Sequence, residues 1–278
     1  MKIHTRYLEV NITGHCNLRC AQCNHYSPYV APEFYDLEQF EIDITRLAEV
    51  YHATGMRLLG GEPLLNKDLP QYVKIVRAKG LADLVGICTN GILLAHIADE
   101  LLMGLDFVHV SLYPLGGNFL RELESGASKC RRLGIKFGIE RKDTLLLTNV
   151  DDPHDGELSL RIFRSCKIAN LWQCHTIWNG FYYKCPRPIF INYYFARRGI
   201  KNEVDYQRRD GVALHQPQLF ERLEAYLLDR TPFLSCSYCL GTSGKSVRWR
   251  QMGHDERVPV PTHPLEWLKV SELEKLYI

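Results

Sequence analysis

The stretch YLEVNITGHCNLRCAQC, residues 7–23, places three cysteines directly after a strand candidate. Its first part is short and rich in apolar residues, as a buried strand requires. Cys16, Cys20 and Cys23 lie within eight residues, so one loop can bring three thiolates to one metal centre. Their spacing leaves two alternatives, an iron–sulfur cluster with one iron open to a small molecule or a zinc site closed by His25 or a distant cysteine.

The composition indicates a globular protein with an unusual number of thiols. The chain has 278 residues and 10 cysteines, which is below the cysteine fraction of small disulfide-bonded scaffolds. The formal net charge of +2 gives no indication of a nucleic-acid partner. We find no apolar run of secretory or membrane-spanning length, so we expect a cytoplasmic protein with no membrane partner. Clustered cysteines in that compartment are more often metal ligands or catalytic groups than disulfides.

Strand candidates alternate with helix candidates along the first half of the chain. The predicted strands are Tyr7–Ile12, Met56–Leu59, Leu84–Thr89, Phe107–Leu112, Ile135–Ile139 and Thr144–Thr148. The predicted helices are one that begins after Asp36, with Gln39 as its capping-box partner, and the segments Asp68–Lys79, Leu94–Met103 and Phe119–Leu133. This alternation predicts a parallel α/β sheet, open or curled toward a barrel, whose active site lies at the C-terminal ends of the strands.

The motifs at those strand ends resemble the motifs of the radical S-adenosylmethionine (SAM) superfamily. The Cys-x3-Cys-x2-Cys loop follows the first strand, and Gly60-Gly61-Glu62-Pro63 follows the second, like the family's GGE motif. The resemblance covers roughly residues 7–150. It implies a partial (β/α)6 TIM-like barrel and SAM bound to the open iron of a [4Fe-4S] cluster, whose ligands are Cys16, Cys20 and Cys23.

The resemblance also implies a set of SAM contacts. The backbone oxygens of Gly60, Gly61 and Pro63, together with Glu62, would meet the amino group of SAM. Three polar residues at later strand ends are further candidates for the same pocket: Thr89, Asn90 and Ser111. The family usually carries an aromatic residue before the third cysteine, whereas this chain has Gln22, so Tyr26 or Tyr29 could cover the cluster instead.

The second half of the chain does not continue the alternation of strand and helix candidates. The polar segment 151–156 predicts a boundary between a core domain, 1–150, and a second domain, 151–278. Asn179-Gly180 between aromatic and β-branched residues predicts a hairpin. Two helices are expected there, one over Gln218–Leu228 and a closing one over Pro264–Leu276.

Five further cysteines occur in that second domain, and their pattern resembles the SPASM/twitch extension of radical SAM enzymes. The family's pattern is a first cysteine, then Gly-x4-Cys, then a distal Cys-x2-Cys. The resemblance implies an auxiliary [4Fe-4S] cluster, for which the ligand set is Cys166, Cys185, Cys236 and Cys239. Cys174 is the alternative first ligand, and a tetrathiolate zinc site is the alternative to a cluster.

Two features outside the cysteine clusters also carry functional hypotheses. Cys88 lies beside a strand end and could donate a hydrogen, although an isolated cysteine is more often inert. Cys130 is expected to be a buried apolar residue. In Lys245–Arg250, alternation places Arg248 and Arg250 on one strand face, where they could bind an anionic group or simply be solvated.

Taken with the resemblance, these residues predict a radical SAM enzyme. It would cleave SAM to a 5′-deoxyadenosyl radical and abstract hydrogen from a small molecule resembling a carbohydrate, aminocyclitol or nucleotide-sugar, ending in oxidation or epimerisation. An external donor such as flavodoxin or ferredoxin would supply the electron. The alternatives are a maturase that crosslinks or epimerises a ribosomally made peptide, and a non-catalytic zinc-bound binding protein.

Overall fold

A computed structural model describes residues 1–277. Ile278, the last residue of the predicted second domain, lies outside the described residues. The strands are β1 (Ile3–Thr13), β2 (Tyr51–Gly60), β3 (Ala82–Thr89), β4 (Phe107–Leu112), β5 (Lys136–Arg141), β6 (Thr144–Leu146), β7 (Thr176–Trp178), β8 (Phe181–Tyr183), β9 (Val212–Ala213) and β10 (Ser246–Arg248). The helices are α1 (Leu37–Ala48), α2 (Leu69–Lys79), α3 (Phe119–Arg132), α4 (Gly156–Arg164), α5 (Lys167–Asn170), α6 (Arg187–Arg198), α7 (Tyr206–Asp210) and α8 (Leu219–Leu228).

The chain divides into two compact units, each assembled from several segments. The first unit contains residues 1–17, 31–143 and 177–180, and the second contains residues 18–30, 144–176 and 181–277. Because both units are assembled from several segments, they do not correspond to the two predicted domains, and the boundary near residue 150 stays a prediction.

The first unit is built on a sheet in the order β5-β4-β3-β2-β1-β7. Strands β1 to β5 pair in parallel, each with the next along the chain. Each of these connections contains a helical segment, which a parallel pair requires. The α/β fold of a partial TIM-like barrel is thus confirmed.

The cap and stop signals of the helices in this unit act as predicted. The Asp36 carboxylate accepts a hydrogen bond from the Gln39 backbone N–H at 2.9 Å, which fixes the start of α1. Gly80 ends α2 with a φ of 61°, a left-handed conformation that glycine adopts at little cost. Phe40, Ile44 and other buried side chains of α1 form its apolar face.

The helix predicted over Leu94–Met103 is wrong, because only a short 3-10 helix, Asp99–Leu102, forms there. The preceding residues form turns, in which Leu94 is fully buried. Lys129 of α3 donates through Nζ to the carbonyl oxygens of Ala95, at 3.0 Å, and Ile97. These carbonyls are therefore satisfied by a side chain rather than by the N–H groups of a continuing helix.

The second unit contains α4 to α8, and α8 confirms the helix predicted over Gln218–Leu228. The strand predicted over Thr144–Thr148 forms as β6, but it pairs antiparallel with β10 and does not extend the parallel sheet. An apolar core forms in this unit from Val150, Ile162, Leu240, Leu268 and Leu273.

The closing helix predicted over Pro264–Leu276 is also wrong. Two short 3-10 helices, Pro264–Trp267 and Val270–Glu272, stand in its place. The backbone between them pairs with residues 243–245 instead, since the N–H of Lys245 donates to Trp267 O at 2.7 Å and the N–H of Lys269 donates to Ser243 O at 2.7 Å. Across residues 1–277, none of the helices has the length and apolar character needed to cross a bilayer.

Candidate functional site

Two glycines bring the end of β2 close to the end of β1. A Cβ atom on Gly60 would lie 2.0 Å from Thr13 O, and one on Gly61 would lie 1.8 Å from His15 O. The N–H groups of Gly61 and Glu62 use this closeness to donate to Thr13 O at 2.9 Å and His15 O at 3.0 Å. Because only glycine allows such an approach, this pair fixes the backbone immediately before the first predicted cluster ligand.

The Glu62 carboxylate ties the end of β2 to the end of β3. It is fully buried and accepts hydrogen bonds from Thr89 Oγ1 at 2.7 Å, the Asn90 N–H at 2.8 Å and the Leu64 N–H at 3.1 Å. Burial raises the pKa of Glu62 to about 7, although these three donors work in the opposite direction. Pro63, also buried, begins the short 3-10 helix that follows.

Asn90 extends this network to the first predicted cluster ligand. Its Nδ2 donates hydrogen bonds to Asn17 Oδ1 at 2.7 Å and to Cys16 Sγ at 3.6 Å. The structure thus brings together Glu62, Thr89, Asn90 and Cys16. A carboxylate in this network could accept a hydrogen bond from an ammonium group, such as that of SAM, bound beside Cys16.

Ser111 lies outside this network. It is half-buried on β4 and stands opposite Glu140 in the register with β5. Its predicted contact with SAM stays a prediction.

We expect Glu62→Gln to change how stability depends on pH. Because the folded-state pKa of about 7 exceeds the ordinary 4.5, the folded protein binds more protons between these values, and its free energy of unfolding falls as pH rises through that window. The total loss is on the order of 3 kcal/mol. The variant has no titrating group here, so urea denaturation of the SAM-free protein from pH 4.5 to 8 should lack this component.

The matched control for this measurement is Glu124→Gln, on the exposed side of α3 in the same unit. It should keep the wild-type slope. A Glu62→Gln profile that parallels the wild-type profile over the whole range would contradict the assignment.

Cys20 and Cys23 belong to the second unit, whereas Cys16 belongs to the first. Cys20 forms an antiparallel bridge with Gln251, and Trp249 Nε1 donates to Cys20 Sγ at 3.0 Å. Burial raises the pKa of the Cys20 thiol to about 12. Sequence reasoning missed Trp249 as a neighbour of the cysteine loop, because residues 20 and 249 are connected only by the fold.

Four cysteines of the second unit line one cavity. They are the predicted auxiliary ligands Cys166, Cys185, Cys236 and Cys239, and Cys174 does not line it. Burial, and then the neighbouring thiols, raise the pKa of Cys236 well above its ordinary value. The Gly241 N–H donates to Cys239 Sγ at 3.1 Å.

The four thiols share the walls of their cavity with apolar side chains. Within residues 1–277, no three Cys, His, Asp or Glu side chains are placed to hold a single metal ion. The four thiols instead surround a cavity whose other walls include apolar side chains such as Ile162, Phe163 and Phe233.

The parallel sheet has one apolar face, and its other face, which we call the polar sheet face, carries several polar side chains among apolar ones such as Leu59 and Phe107. Leu8, Val10, Leu58, Ile87 and Val108 alternate along the strands with the polar set Glu9, Arg57, Cys88, His109 and Glu140. Arg57 lies 3.3 Å from Glu9, and His109 lies 3.5 Å from Glu140. Sheets of this class are usually apolar on both faces, so a row of polar side chains on one face indicates a candidate functional surface.

Sequence reasoning singled out only Cys88 in this row. The available signal was a polar residue or a cysteine directly after an apolar residue in each strand, as in LEV, MRL, ICT and VHV, but the strand register was needed to join these residues. Burial raises the pKa of Cys88 to about 12, so its thiol stays protonated at neutral pH. Its role as hydrogen donor stays a prediction.

The two arginines expected on one strand face do not share a strand. β10 ends at Arg248, and Arg250 forms an ion pair with Glu256. The predicted arrangement is wrong because the chain leaves the strand before Arg250.

Comparison with known proteins gives a family and several relatives. The model of the Radical SAM superfamily matches residues 10–150, just over half of the chain. A probable GTP 3′,8-cyclase of Metallosphaera sedula is 36% identical over 110 residues, which cover 39% of this chain and 34% of that protein. A GTP 3′,8-cyclase of Lactiplantibacillus plantarum is 28% identical over 234 residues, which cover 75% of this chain and 63% of that protein.

This chain therefore spans between about a third and just under two thirds of the lengths of these relatives. The solved structure of BtrN in complex with AdoMet and 2-DOIA aligns with a TM-score of 0.47 at 15% identity, over 87% of this chain and 96% of that chain.

The names of the relatives correct the predicted function. They specify a cyclase acting on the nucleotide GTP, so the predicted oxidation or epimerisation of a carbohydrate-like molecule is wrong, and so is peptide maturation. The non-catalytic zinc protein is wrong as well, because the matched family and these relatives support a radical SAM enzyme.

Proposed function

The chain belongs to the radical SAM superfamily, and on that premise we propose that it directs SAM-derived radical chemistry to a purine nucleotide. A cluster held by the cysteine loop would supply the electron for SAM cleavage, and with it the capacity to abstract a hydrogen atom from the substrate. The observation that carries the nucleotide assignment is the polar sheet face around Arg57 and Glu9, in a chain whose relatives are named as GTP cyclases.

The first site would be assembled by residues of this chain in distinct roles. Cys16, Cys20 and Cys23 would hold the cluster, and Glu62 would face the ammonium group of SAM. Gly60 and Gly61 support this proposal because they allow the backbone close approach that leads into Cys16. Thr89 and Asn90 would keep the Glu62 carboxylate in place through the hydrogen bonds described above.

Arg57 and Glu9 offer complementary groups for a purine base. The guanidinium carries a planar fork of donors, and the carboxylate accepts from N–H groups, which together match the mixed donor and acceptor edge of guanine. Tyr7 supports Arg57, whose guanidinium lies 4.1 Å from the centre of the Tyr7 ring. Gly55 leaves room for that ring, since a Cβ there would lie 2.8 Å from it.

The proposal is tested by anaerobic turnover with GTP, with ATP and CTP as comparison substrates. We expect GTP-dependent formation of 5′-deoxyadenosine and a changed nucleotide. Arg57→Ala should lower GTP turnover by roughly 10-fold to 100-fold, as expected for loss of a bidentate base contact. Background cleavage of SAM without substrate should persist in this variant, because Arg57 lies outside the SAM set.

His96→Ala provides a control, since His96 is an exposed residue of the same unit that lies outside the polar sheet face. It should keep wild-type turnover. If no purine nucleotide is altered by the wild-type enzyme while it still cleaves SAM, the nucleotide assignment is wrong.

We also propose that Cys166, Cys185, Cys236 and Cys239 hold a second [4Fe-4S] cluster. Their shared cavity supports this ligand set over one containing Cys174. Anaerobic wild-type protein should then contain about eight irons and eight sulfides, because each four-iron cluster contributes four of each. Cys166→Ala should lose the second cluster and Cys174→Ala should keep it, and the reverse result would make Cys174 the ligand. A cytoplasmic location and a flavodoxin or ferredoxin as electron donor stay predictions.

A further inference from the structure

Arg187 is a buried cation in the wall of the cavity that the four cysteines line. It begins α6 two residues after Cys185, and only 3% of its surface is exposed. An arginine stays charged at any pH that a protein experiences, and a buried charge without an opposite charge is costly. A negatively charged group inside the cavity would offset the cost of burying this guanidinium.

The hydrogen bonds described for this guanidinium go to neutral oxygens. Nη2 donates to Asn149 Oδ1 at 3.1 Å and to Thr148 O at 3.5 Å, and Nη1 donates to Tyr238 O at 3.3 Å. Nη1 also donates to the Tyr26 hydroxyl. These partners hold the guanidinium in place, and none of the four is a carboxylate, so its positive charge is available to a negatively charged group held in the cavity.

Tyr26 connects the same guanidinium to the loop of the first cysteine set. Its side chain is fully buried, its φ is 55°, and its N–H donates to Cys23 O at 3.2 Å. The Arg187 guanidinium lies 5.2 Å from the centre of the Tyr26 ring. One cation therefore touches a cavity lined by four thiols and, through one tyrosine, the backbone of Cys23.

We propose that Arg187 is a positioning residue that serves both cysteine sets. Its charge stabilises the reduced, more negative form of the auxiliary cluster, and its bond to Tyr26 orders the loop that carries Cys20 and Cys23. This inference rests on the proposed second cluster. A buried cation near a cluster raises the reduction potential, since the added electron is attracted to it.

The test is a redox titration of the reconstituted, full-length protein, followed by electron paramagnetic resonance. Arg187→Met should move the midpoint potential of the auxiliary cluster to a more negative value. Arg187→Lys retains a positive charge and should stay near the wild-type potential. Arg198→Met is the matched control, because Arg198 lies on the same helix but bonds Asp151 and should leave the potential unchanged.

The loop contribution is measured separately. Tyr26→Phe removes the bond to Arg187 without changing charge, so it should leave the auxiliary potential unchanged and weaken SAM binding several-fold in calorimetry. Unchanged SAM affinity in this variant would overturn the loop part of the proposal.

Iron content and midpoint potential of the Arg187 variants together test the role of the charge. An Arg187→Met protein with eight irons and the wild-type potential would overturn the charge role. If Arg187→Met loses the auxiliary irons, Arg187→Lys decides, since retained iron supports the charge role and lost iron overturns it. Wild-type protein with only four irons would instead refute the proposed second cluster, which distinguishes the two failures.

Discussion

Replacing Cys16, Cys20 and Cys23 together with alanine should abolish SAM cleavage while leaving about four of the eight expected irons in the protein. In the proposed function, the cleavage step would depend on an electron delivered through a cluster that these thiols would hold, so we expect a loss of at least about 1,000-fold. The remaining four irons should be those of the cavity lined by Cys166, Cys185, Cys236 and Cys239. Iron and sulfide analysis, together with chromatography of 5′-deoxyadenosine, measures both effects on the same sample.

Cys130→Ala is the control for the removal of thiols. Cys130 is fully buried on α3, as expected from the sequence, and it lies outside both cysteine sets. This variant should keep both iron content and SAM cleavage. If the triple variant lost all eight irons while remaining folded by circular dichroism, the two cysteine sets would not be independent sites, contrary to the assignment.

The parallel sheet could be predicted from sequence because its signals are local. The Asp36 cap and Gly80 stop act within one helical turn, and each apolar strand is bounded by residues near it in the chain. The failures are the segments whose partners are distant. Lys129 satisfies carbonyls in the segment predicted as a helix over Leu94–Met103, and residues 243–245 pair with the backbone between residues 267 and 269.

Some residues of the candidate site also have a local sequence signal, and others do not. Gly60, Gly61 and Glu62 form a contiguous motif, so their location could be predicted, and the structure then adds the hydrogen bonds from Thr89 and Asn90. Arg187 had no local signal, because its acceptors lie at residues 26, 148, 149 and 238. A buried cation can be recognised only when the fold shows how little of it is exposed.

The polar sheet face required both kinds of information. A single charged residue between apolar neighbours is common at a strand surface, so Arg57 or His109 alone indicates little. Their significance comes from register, which places Glu9 opposite Arg57 and Cys88 opposite His109 on one face of a parallel sheet. A proposed substrate surface of this kind is therefore less predictable from sequence than a cofactor motif, whose residues lie close together in the chain.

Gly61→Ala should reduce SAM cleavage on the order of 100-fold by moving the loop before Cys16, since displacing a positioned group by about 1 Å can have an effect of that size. The added Cβ would lie 1.8 Å from His15 O and 2.9 Å from the Cys16 N atom, and both contacts are with backbone. Backbone cannot move aside as the end of a flexible side chain can, so the strand end itself must shift. SAM affinity should fall with activity, while the auxiliary irons remain.

Gly156→Ala provides the matched control, because nothing lies within 4 Å of the position of its added Cβ and the residue begins α4. Alanine favours a helix more than glycine does, so this variant should be as stable as the wild type or slightly more stable. Both variants are compared by SAM calorimetry, single-turnover cleavage and thermal unfolding. Wild-type SAM affinity in Gly61→Ala would mean that the close approach of β2 to His15 is dispensable for the cofactor site, and the role assigned to the two glycines would have to be abandoned.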